Sequence, residues 1–193
     1  MTAQSAAQAT GRLSFQTATL SHVAALRALV VSAFRGPSSR EGWTTEADLF
    51  TDERISEAGL VAKIQRPASK VVMVLDDQSG TLLGCAEIVG GGQGPVAQIG
   101  MVAVAPRSQG RGIGKALMAH LEQIGRAEYQ AESMELYVIW TRNELIDFYI
   151  RRGFSRTKRT KPFPYGELVN GKALRDDLYF VVLEKTFPKT LPN

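Results

Sequence analysis

Apolar residues follow two spacings along the chain, and each spacing predicts a different element. Recurrence at three and four positions predicts a helix, whereas alternation, or a short continuous apolar run bounded by a turn, predicts a strand. Helical spacing begins after Ser21, a suitable N-cap, and a second helix is predicted over about residues 52–65, before Pro67. Two more helices are predicted, one after the glycine-rich turn near residue 110 and one over about residues 143–152. Strands are predicted over residues 13–18, 71–75, 82–89, 96–104 and 134–140, from Phe154 onward, and over residues 178–185.

These elements predict one mixed α/β domain, since no internal repeat or linker divides the sequence. The chain has 193 residues, of which 44% are hydrophobic and 22% charged, and this is enough for a single core. Residues 1–10 are small and polar and predict a flexible N-terminal tail. The domain is therefore expected to occupy residues 11–193.

Composition excludes several classes of protein. The net charge of +4 favours anionic ligands, but the basic residues form no nucleic-acid-binding motif. No apolar run approaches the roughly 20 residues that cross a bilayer, and the first residues lack the features of a secretory signal. We therefore expect a cytoplasmic protein with no membrane or nucleic-acid partner. Cys85 is the only cysteine and lies in an apolar run, and the two histidines have no metal-like spacing, so no metal is expected.

A glycine-rich turn between a strand and a helix carries the first functional signal. The free N–H groups at a helix start attract anions, and glycine lets phosphate oxygens approach the backbone. A phosphate-binding loop of the Walker type is excluded by Gln109 and Ala116, and the dinucleotide pattern lacks its third glycine. The pattern that fits is Gln/Arg-x-x-Gly-x-Gly, met by Gln109, Gly112 and Gly114. On its own, the turn is equally compatible with tight packing of the following helix.

A second motif follows one strand later: Asn143, and then the run from Phe148 to Phe154, which reads Phe-Tyr-Ile-Arg-Arg-Gly-Phe. With the first motif, it resembles the GNAT superfamily of N-acetyltransferases over nearly the whole chain. Residues 140–145, 161–166 and 176–180 are similar to a subgroup of microbial GNAT proteins whose substrate the sequence does not name. The resemblance implies a GNAT-like single domain with a mixed, mostly antiparallel sheet of about seven strands flanked by about four helices.

The resemblance also implies a cofactor and site residues. Acetyl-CoA would be the co-substrate, and the acceptor would be a primary amine of a small molecule or peptide. The residues implied to hold the cofactor are Val102, Ala103, Val104, Gln109, Gly110, Arg111, Gly112, Ile113, Gly114, Lys115 and Asn143. Tyr149 would be the general acid that protonates the departing thiolate, while Phe148 and Phe154 are assigned to the core.

Three questions stay open at the level of sequence. Gln98 stands where many relatives have a glutamate base, which leaves a water chain, Glu87 or an acceptor of low amine pKa; Glu87 is expected to be an ordinary solvent-facing residue. Phe163 and Tyr165, beside two stiffening prolines, are expected to form one wall of the acceptor pocket; the alternative is a surface loop packed by its own aromatic residues. The alternative function is an acyl-CoA-binding sensor without catalysis, and a homodimer is an open possibility.

Overall fold

A central sheet organises the computed structural model, which describes residues 12–91 and 95–188. Within those ranges the chain forms seven strands and five α-helices, joined by three one-turn 3-10 helices. The elements in chain order are β1 Leu13–Thr17, α1 Val23–Phe34, α2 Gly36–Ser39, α3 Glu57–Gln65, β2 Ser69–Asp76, β3 Leu82–Val89, β4 Val96–Val104, α4 Ile113–Ala127, β5 Ser133–Ile139, α5 Asn143–Ile150, β6 Ser155–Pro162 and β7 Tyr179–Thr186. The tail expected over residues 1–10 lies outside the described residues.

The sheet has the order β1-β2-β3-β4-β5-β7-β6. Every neighbouring pair is antiparallel except β4 and β5, which are parallel because α4 carries the chain across one face between them. This confirms the predicted mixed sheet of seven strands. The structure adds one helix to the predicted four, since the Gly36–Ser39 segment that ends α1 itself forms the single turn α2.

Helices cover both faces of the sheet. In β2, Val71 and Met73 pack with α1 and α3, whereas Val72 and Val74 pack with α4. Neighbouring strand residues point to opposite faces, so one strand serves two cores. The α4 core also contains the buried side chains of α5 and β7, and this fixes the position of Tyr149.

Two predicted helix starts are wrong. Ser21 lies inside a 3-10 turn, where the Thr19 N–H donates to Nδ1 of His22 (3.0 Å), and α1 begins only at Val23. The helix predicted from residue 52 begins at Glu57, because the Ser56 hydroxyl accepts from the Gly59 N–H (3.0 Å) and caps it. Asp52 instead turns inward and bonds to Arg35, at 2.6 Å.

Candidate active site

The glycine-rich turn forms an open, positively polarised pocket at the start of α4. Gly110 and Gly112 have left-handed φ angles of 78° and 81°, and a Cβ added to either would meet no atom within 4 Å. The first helical bond runs from the Ala116 N–H to the Gly112 carbonyl (3.0 Å), and no side chain caps the helix. The N–H groups of residues 113–115 therefore point out of the helix end, where the helix dipole adds positive potential. This geometry suits a phosphate or pyrophosphate.

A cavity of about 320 Å³ opens from this turn, and we call it the glycine-turn cavity. Its lining residues are Trp43, Thr44, Val102, Val104, Ser108, Gln109, Gly110, Gly112, Ile113, Gly114, Lys115, Leu145, Phe148, Tyr149, Arg151 and Arg152. Lys115, Arg151 and Arg152 bring positive charge to it, which again favours an anionic ligand. Arg111, also expected at the cofactor, is exposed and does not line this cavity.

The parallel strands β4 and β5 separate beside this cavity. They pair only from Val96 to Ile99, and a bulge in β4, where Met101 has a φ of 51°, shifts the register against β3. Ala103 lies opposite Cys85 of β3 and lines neither cavity described here. Because alternate residues direct their backbone groups to opposite sides, those of Val102 and Val104 face the split between β4 and β5.

Only one of these two backbone positions is open on the cavity side. The carbonyl of Val104 accepts a hydrogen bond from Nε2 of Gln109, at 3.0 Å. Val102 therefore offers the open strand edge with which an extended ligand can pair. Of residues 102–104, the three that the family resemblance implied, the structure thus favours the first.

A second cavity of about 360 Å³ lies across the split, and we call it the charged cavity. Seven charged side chains line it: Arg35, Glu46, Asp52, Arg54, Lys63, Arg142 and Glu167. The two cavities share Val102, Leu145 and Tyr149 as lining residues. They therefore meet at the open strand edge and at the tyrosine.

Tyr149 is held rigidly at this junction. It is only 4% exposed, and its ring packs between Phe148 and Phe154, with ring centroids 5.2 Å and 5.9 Å away. Burial raises the pKa of its phenol well above the ordinary value; the negative charge of Glu46 adds to the rise, while Arg142 opposes it. The phenol is therefore protonated throughout the neutral pH range. Phe154 is buried as predicted, whereas Phe148, also assigned to the core, is only partly buried and lines the glycine-turn cavity.

Buried ion pairs organise the charged cavity. Arg35 donates from Nε to Asp52 (2.6 Å) and from Nη1 to Glu46 (2.6 Å), and all three side chains are at most 10% exposed. Nη1 of Arg142 lies 3.2 Å from the other oxygen of Glu46. No local sequence motif indicates these residues, because their partners lie 11 or more positions apart.

The remaining predicted residues divide between the cavities and the surface. Phe163 lines the charged cavity and stacks on Phe50, with ring centroids 5.2 Å apart. Tyr165 lies behind Phe163, edge to face at 4.9 Å, and its hydroxyl accepts from the Leu178 N–H (2.7 Å). Asn143 is exposed at the first position of α5 and lines neither cavity.

The prediction that Glu87 faces solvent is wrong. Glu87 is 4% exposed, and its carboxylate accepts from Lys63 (2.5 Å) and from the Ser69 hydroxyl (3.3 Å). A charge at this depth needs such partners, and they explain why β3 can bury it. Gln98 lies opposite Glu135 of β5 and lines neither cavity.

Three further expectations from the sequence concern Cys85, metal binding and membrane spans. Cys85 is fully buried and desolvation raises its pKa to about 12, which confirms its assignment to the core. Among the residues that the structure describes, no three His, Cys, Asp or Glu side chains are grouped to hold a metal ion. In the same ranges, no helix has the length and apolarity needed to traverse a bilayer.

A match to a family model identifies the family of this chain. The model of the acetyltransferase (GNAT) family matches residues 23–154, which include the glycine turn, the split strands and Tyr149. The chain belongs to the GNAT acetyltransferase family. It is an acetyl-CoA-dependent N-acetyltransferase, as the two sequence motifs predicted.

Solved GNAT structures share this fold. PaiA N-acetyltransferase from Thermoplasma acidophilum, in complex with coenzyme A, is 16% identical, with a TM-score of 0.64 over 91% of this chain and 99% of that chain. Spermidine/spermine N-acetyltransferase SpeG from Vibrio cholerae is 14% identical, with a TM-score of 0.62 over 91% and 92% of the two chains. Nourseothricin acetyltransferase is 24% identical, with a TM-score of 0.53 over 63% and 67%. No curated protein matches the chain.

Proposed function

We propose that this GNAT protein transfers the acetyl group of acetyl-CoA to a primary amine of a small molecule or peptide. One observation carries the proposal: the glycine-turn cavity and the charged cavity meet at Val102 and Tyr149. A donor in the first cavity and an acceptor in the second would bring their reacting atoms together at that junction. Such positioning is a large part of catalysis for a two-substrate reaction.

The chain offers separate groups to each part of the donor. The N–H groups of residues 113–115, with Lys115 and Arg152, would hold the pyrophosphate. The open backbone edge at Val102 would pair with the amide-containing arm. The bound donor supplies an activated thioester, and the strand N–H at the split would polarise its carbonyl oxygen.

Tyr149 would act on the leaving group. As the amine nitrogen bonds to the thioester carbon and the C–S bond breaks, the sulfur takes the proton of the Tyr149 hydroxyl, and the phenolate then recovers the proton that the acylated nitrogen releases. A thiol has a pKa of about 8.5, so transfer from a phenol with an ordinary pKa of about 10 is already uphill by roughly 2 kcal/mol. Burial makes this phenol a still weaker acid in the free enzyme, so it assists only once negative charge has developed on sulfur.

The acceptor must lose a proton before it attacks, and both buried carboxylates of the charged cavity are already engaged by arginines, whereas Glu167, which also lines it, is exposed. Gln98 cannot accept a proton near neutral pH. Glu87 is bonded to Lys63, and Glu46 and Asp52 are bonded to Arg35. We therefore assign no carboxylate base, and the neutral fraction of the amine would limit the rate at low pH.

A thiol-release assay with a panel of amines tests the proposal. Acetyl-CoA is mixed with the protein and each amine, and free thiol and N-acetylated product are both measured, the product by mass spectrometry. We expect thiol and product to appear in equal amounts and only when an amine is present. If acetyl-CoA binds but no amine accelerates thiol release above hydrolysis, the protein is a sensor and the proposal is wrong.

A further inference from the structure

The five charged side chains that precede α3 and α5 bring more positive than negative charge to the charged cavity. They are three guanidinium groups, those of Arg35, Arg54 and Arg142, and two carboxylates, those of Glu46 and Asp52. Lys63 does not change this balance, because it is paired with Glu87. Glu167 also lines the cavity but is exposed, on the turn after β6, where solvent screens it. The five side chains therefore carry a surplus charge of +1.

Arg54 carries most of this surplus. Arg35 bonds to both carboxylates at 2.6 Å, whereas the Nε of Arg54 is 3.8 Å from Glu46, beyond hydrogen-bond range. The Arg54 side chain is 35% exposed, compared with 6% for Arg35. Its guanidinium thus remains accessible from the cavity.

Arg142 contributes a second positive charge. Its Nη1 atom is buried and lies 3.2 Å from Glu46, and yet it makes no hydrogen bond within the described part of the chain. The contact has the right distance but not the right angle, so we treat it as an ion pair rather than a hydrogen bond. Because Nη1 is closed to solvent, Arg142 would attract an anion in the cavity through its charge and not through this donor.

The backbone holds Arg54 in place for such a contact. Its φ of 66° lies in the left-handed region, which a side chain of this size rarely adopts. The Arg54 N–H donates to Asp52 (3.1 Å), and its guanidinium lies over the ring of Phe34, 5.3 Å from the centroid. Backbone conformations of this kind persist where surrounding contacts enforce them, and they cluster at binding sites.

Resting on the proposed function, we infer that the acceptor is an α-amino acid with an apolar side chain, whose carboxylate binds Arg54 and Arg142. Arg142 directly precedes α5, the helix that carries Tyr149, and Arg54, Arg142 and Tyr149 all line the charged cavity. An α-amino acid has its amine and its carboxylate on one carbon, so it could present the carboxylate to the arginines and the amine to the junction. Much of the remaining lining is apolar and suits a hydrophobic side chain; this part includes Phe34, Phe50, Ile99, Met101, Val138 and Phe163. A polyamine would instead bring positive charge to a surplus of the same sign.

Matched amines test this inference. Leucine and phenylalanine are compared with 3-methylbutylamine and phenethylamine, which have the same skeletons without the carboxylate, and with the two amino-acid amides. We expect kcat/KM for the amino acids to exceed that of their partners by at least about tenfold, in line with the strength of charge-assisted hydrogen bonds.

Variants of Arg54 attribute the preference to this side chain. Arg54→Met keeps the apolar stem over Phe34 and removes the charge, so leucine should lose about tenfold in kcat/KM while 3-methylbutylamine changes little. Arg54→Lys should retain part of the preference, because the point charge remains without the planar fork. Arg66→Met, at an exposed arginine after α3 and outside both cavities, is the matched control. Circular dichroism melting establishes that each variant is folded.

The outcomes separate this inference from the proposed function. Equal or better acetylation of the amines without a carboxylate, or of spermidine, overturns the inference and leaves acetyl transfer intact. If no amine is acetylated at all, the proposed function fails, and titration calorimetry of leucine into the CoA-loaded protein decides the carboxylate site separately. Leucine binding that is lost in Arg54→Met supports the site, whereas no leucine binding overturns it.

Discussion

The side-chain carbonyl of Gln109 accepts a hydrogen bond from the backbone N–H of Trp43, at 2.9 Å. The same side chain donates from Nε2 to the Thr44 hydroxyl (2.8 Å) and to the Val104 carbonyl (3.0 Å). Gln109 therefore joins three segments: the glycine turn, the end of β4, and the loop that leads to Glu46. Through these bonds it positions the walls of the glycine-turn cavity.

Loss of these bonds should weaken donor binding. Gln109→Ala leaves the Trp43 N–H and the Val104 carbonyl without their partner, at a cost of about 1–3 kcal/mol for each group that stays dry. We expect the KM for acetyl-CoA to rise by about tenfold, equivalent to about 1.4 kcal/mol, together with a lower melting temperature. Gln78→Ala, in the exposed turn between β2 and β3, is the control. Unchanged donor KM and melting temperature would show that the three bonds are dispensable.

A negative charge at Gly112 should abolish donor binding. Gly112 is left-handed, and the space around it is open, so Gly112→Asp places a carboxylate where the pyrophosphate is expected. Gly112→Asn is the matched control, because asparagine has the same shape and also tolerates this backbone conformation. Calorimetry with acetyl-CoA should detect no binding to the Asp variant and weakened binding to the Asn variant. Gly114→Glu is a poorer test, since its Cβ would lie 3.3 Å from the Phe148 ring. Equal affinities for acetyl-CoA in the folded Asp and Asn variants would show that the pyrophosphate does not bind at this turn.

Removal of the Tyr149 hydroxyl should slow catalysis without disturbing the fold. Tyr149→Phe keeps the ring that packs against Phe148 and Phe154. General acid catalysis typically contributes about 10²–10⁴-fold, and for this weak acid we expect kcat to fall by at least about tenfold with acetyl-CoA KM within a few-fold. The loss should shrink for donors whose thiol has a lower pKa. Tyr129→Phe, at a partly buried tyrosine outside both cavities, is the control. If folded Tyr149→Phe retains the wild-type kcat, Tyr149 is a core residue without a catalytic role.

The pH profile should rise without a fall near pH 10. The Tyr149 pKa is raised, so its acid form persists above the pH at which an exposed phenol would ionise. On the acceptor side, the neutral fraction of an alkylamine increases about tenfold per pH unit below its pKa. We therefore expect log kcat/KM to climb with a slope of about one from pH 7 to pH 9. A plateau that begins near pH 7 would instead reveal a dedicated base.

The acceptor KM should depend on Phe163 more than on Tyr165. Phe163→Ala removes a ring that lines the cavity and stacks on Phe50, and we expect the acceptor KM to rise by about tenfold. Tyr165→Ala should have a smaller effect, because Tyr165 touches the cavity only through Phe163. Tyr165→Phe keeps that contact and loses only the bond to Leu178, so it is the control. Unchanged acceptor KM and selectivity in Phe163→Ala would exclude this segment from the pocket.

The glycine turn and the sheet could be predicted from sequence because their signals are local. Gly112 is followed directly by the helix that it starts, and the continuous apolar run of β2 reflects its two buried faces. The start of α3 was harder to predict, because Ser56 caps the helix while Asp52 is drawn away by Arg35. No local pattern distinguishes those two polar residues.

The charged cavity could not be predicted for a related reason. Arg35, Glu46 and Arg142 come together only because α1, the loop before α3 and the start of α5 converge at one end of the sheet. Glu87 looked like a surface residue for the same reason, since its partner Lys63 lies 24 positions away on α3. Charge pairs of this kind are apparent only in the folded structure, because the spacing of the residues along the sequence does not indicate them.

A crystal structure of the protein with coenzyme A would locate every part of the donor at once. We expect the pyrophosphate within hydrogen-bond distance of the N–H groups of residues 113–115, the arm paired with the backbone of Val102, and the sulfur beside the Tyr149 hydroxyl. If coenzyme A binds with its pyrophosphate away from this turn, or with its sulfur out of reach of Tyr149, the proposed donor site is wrong.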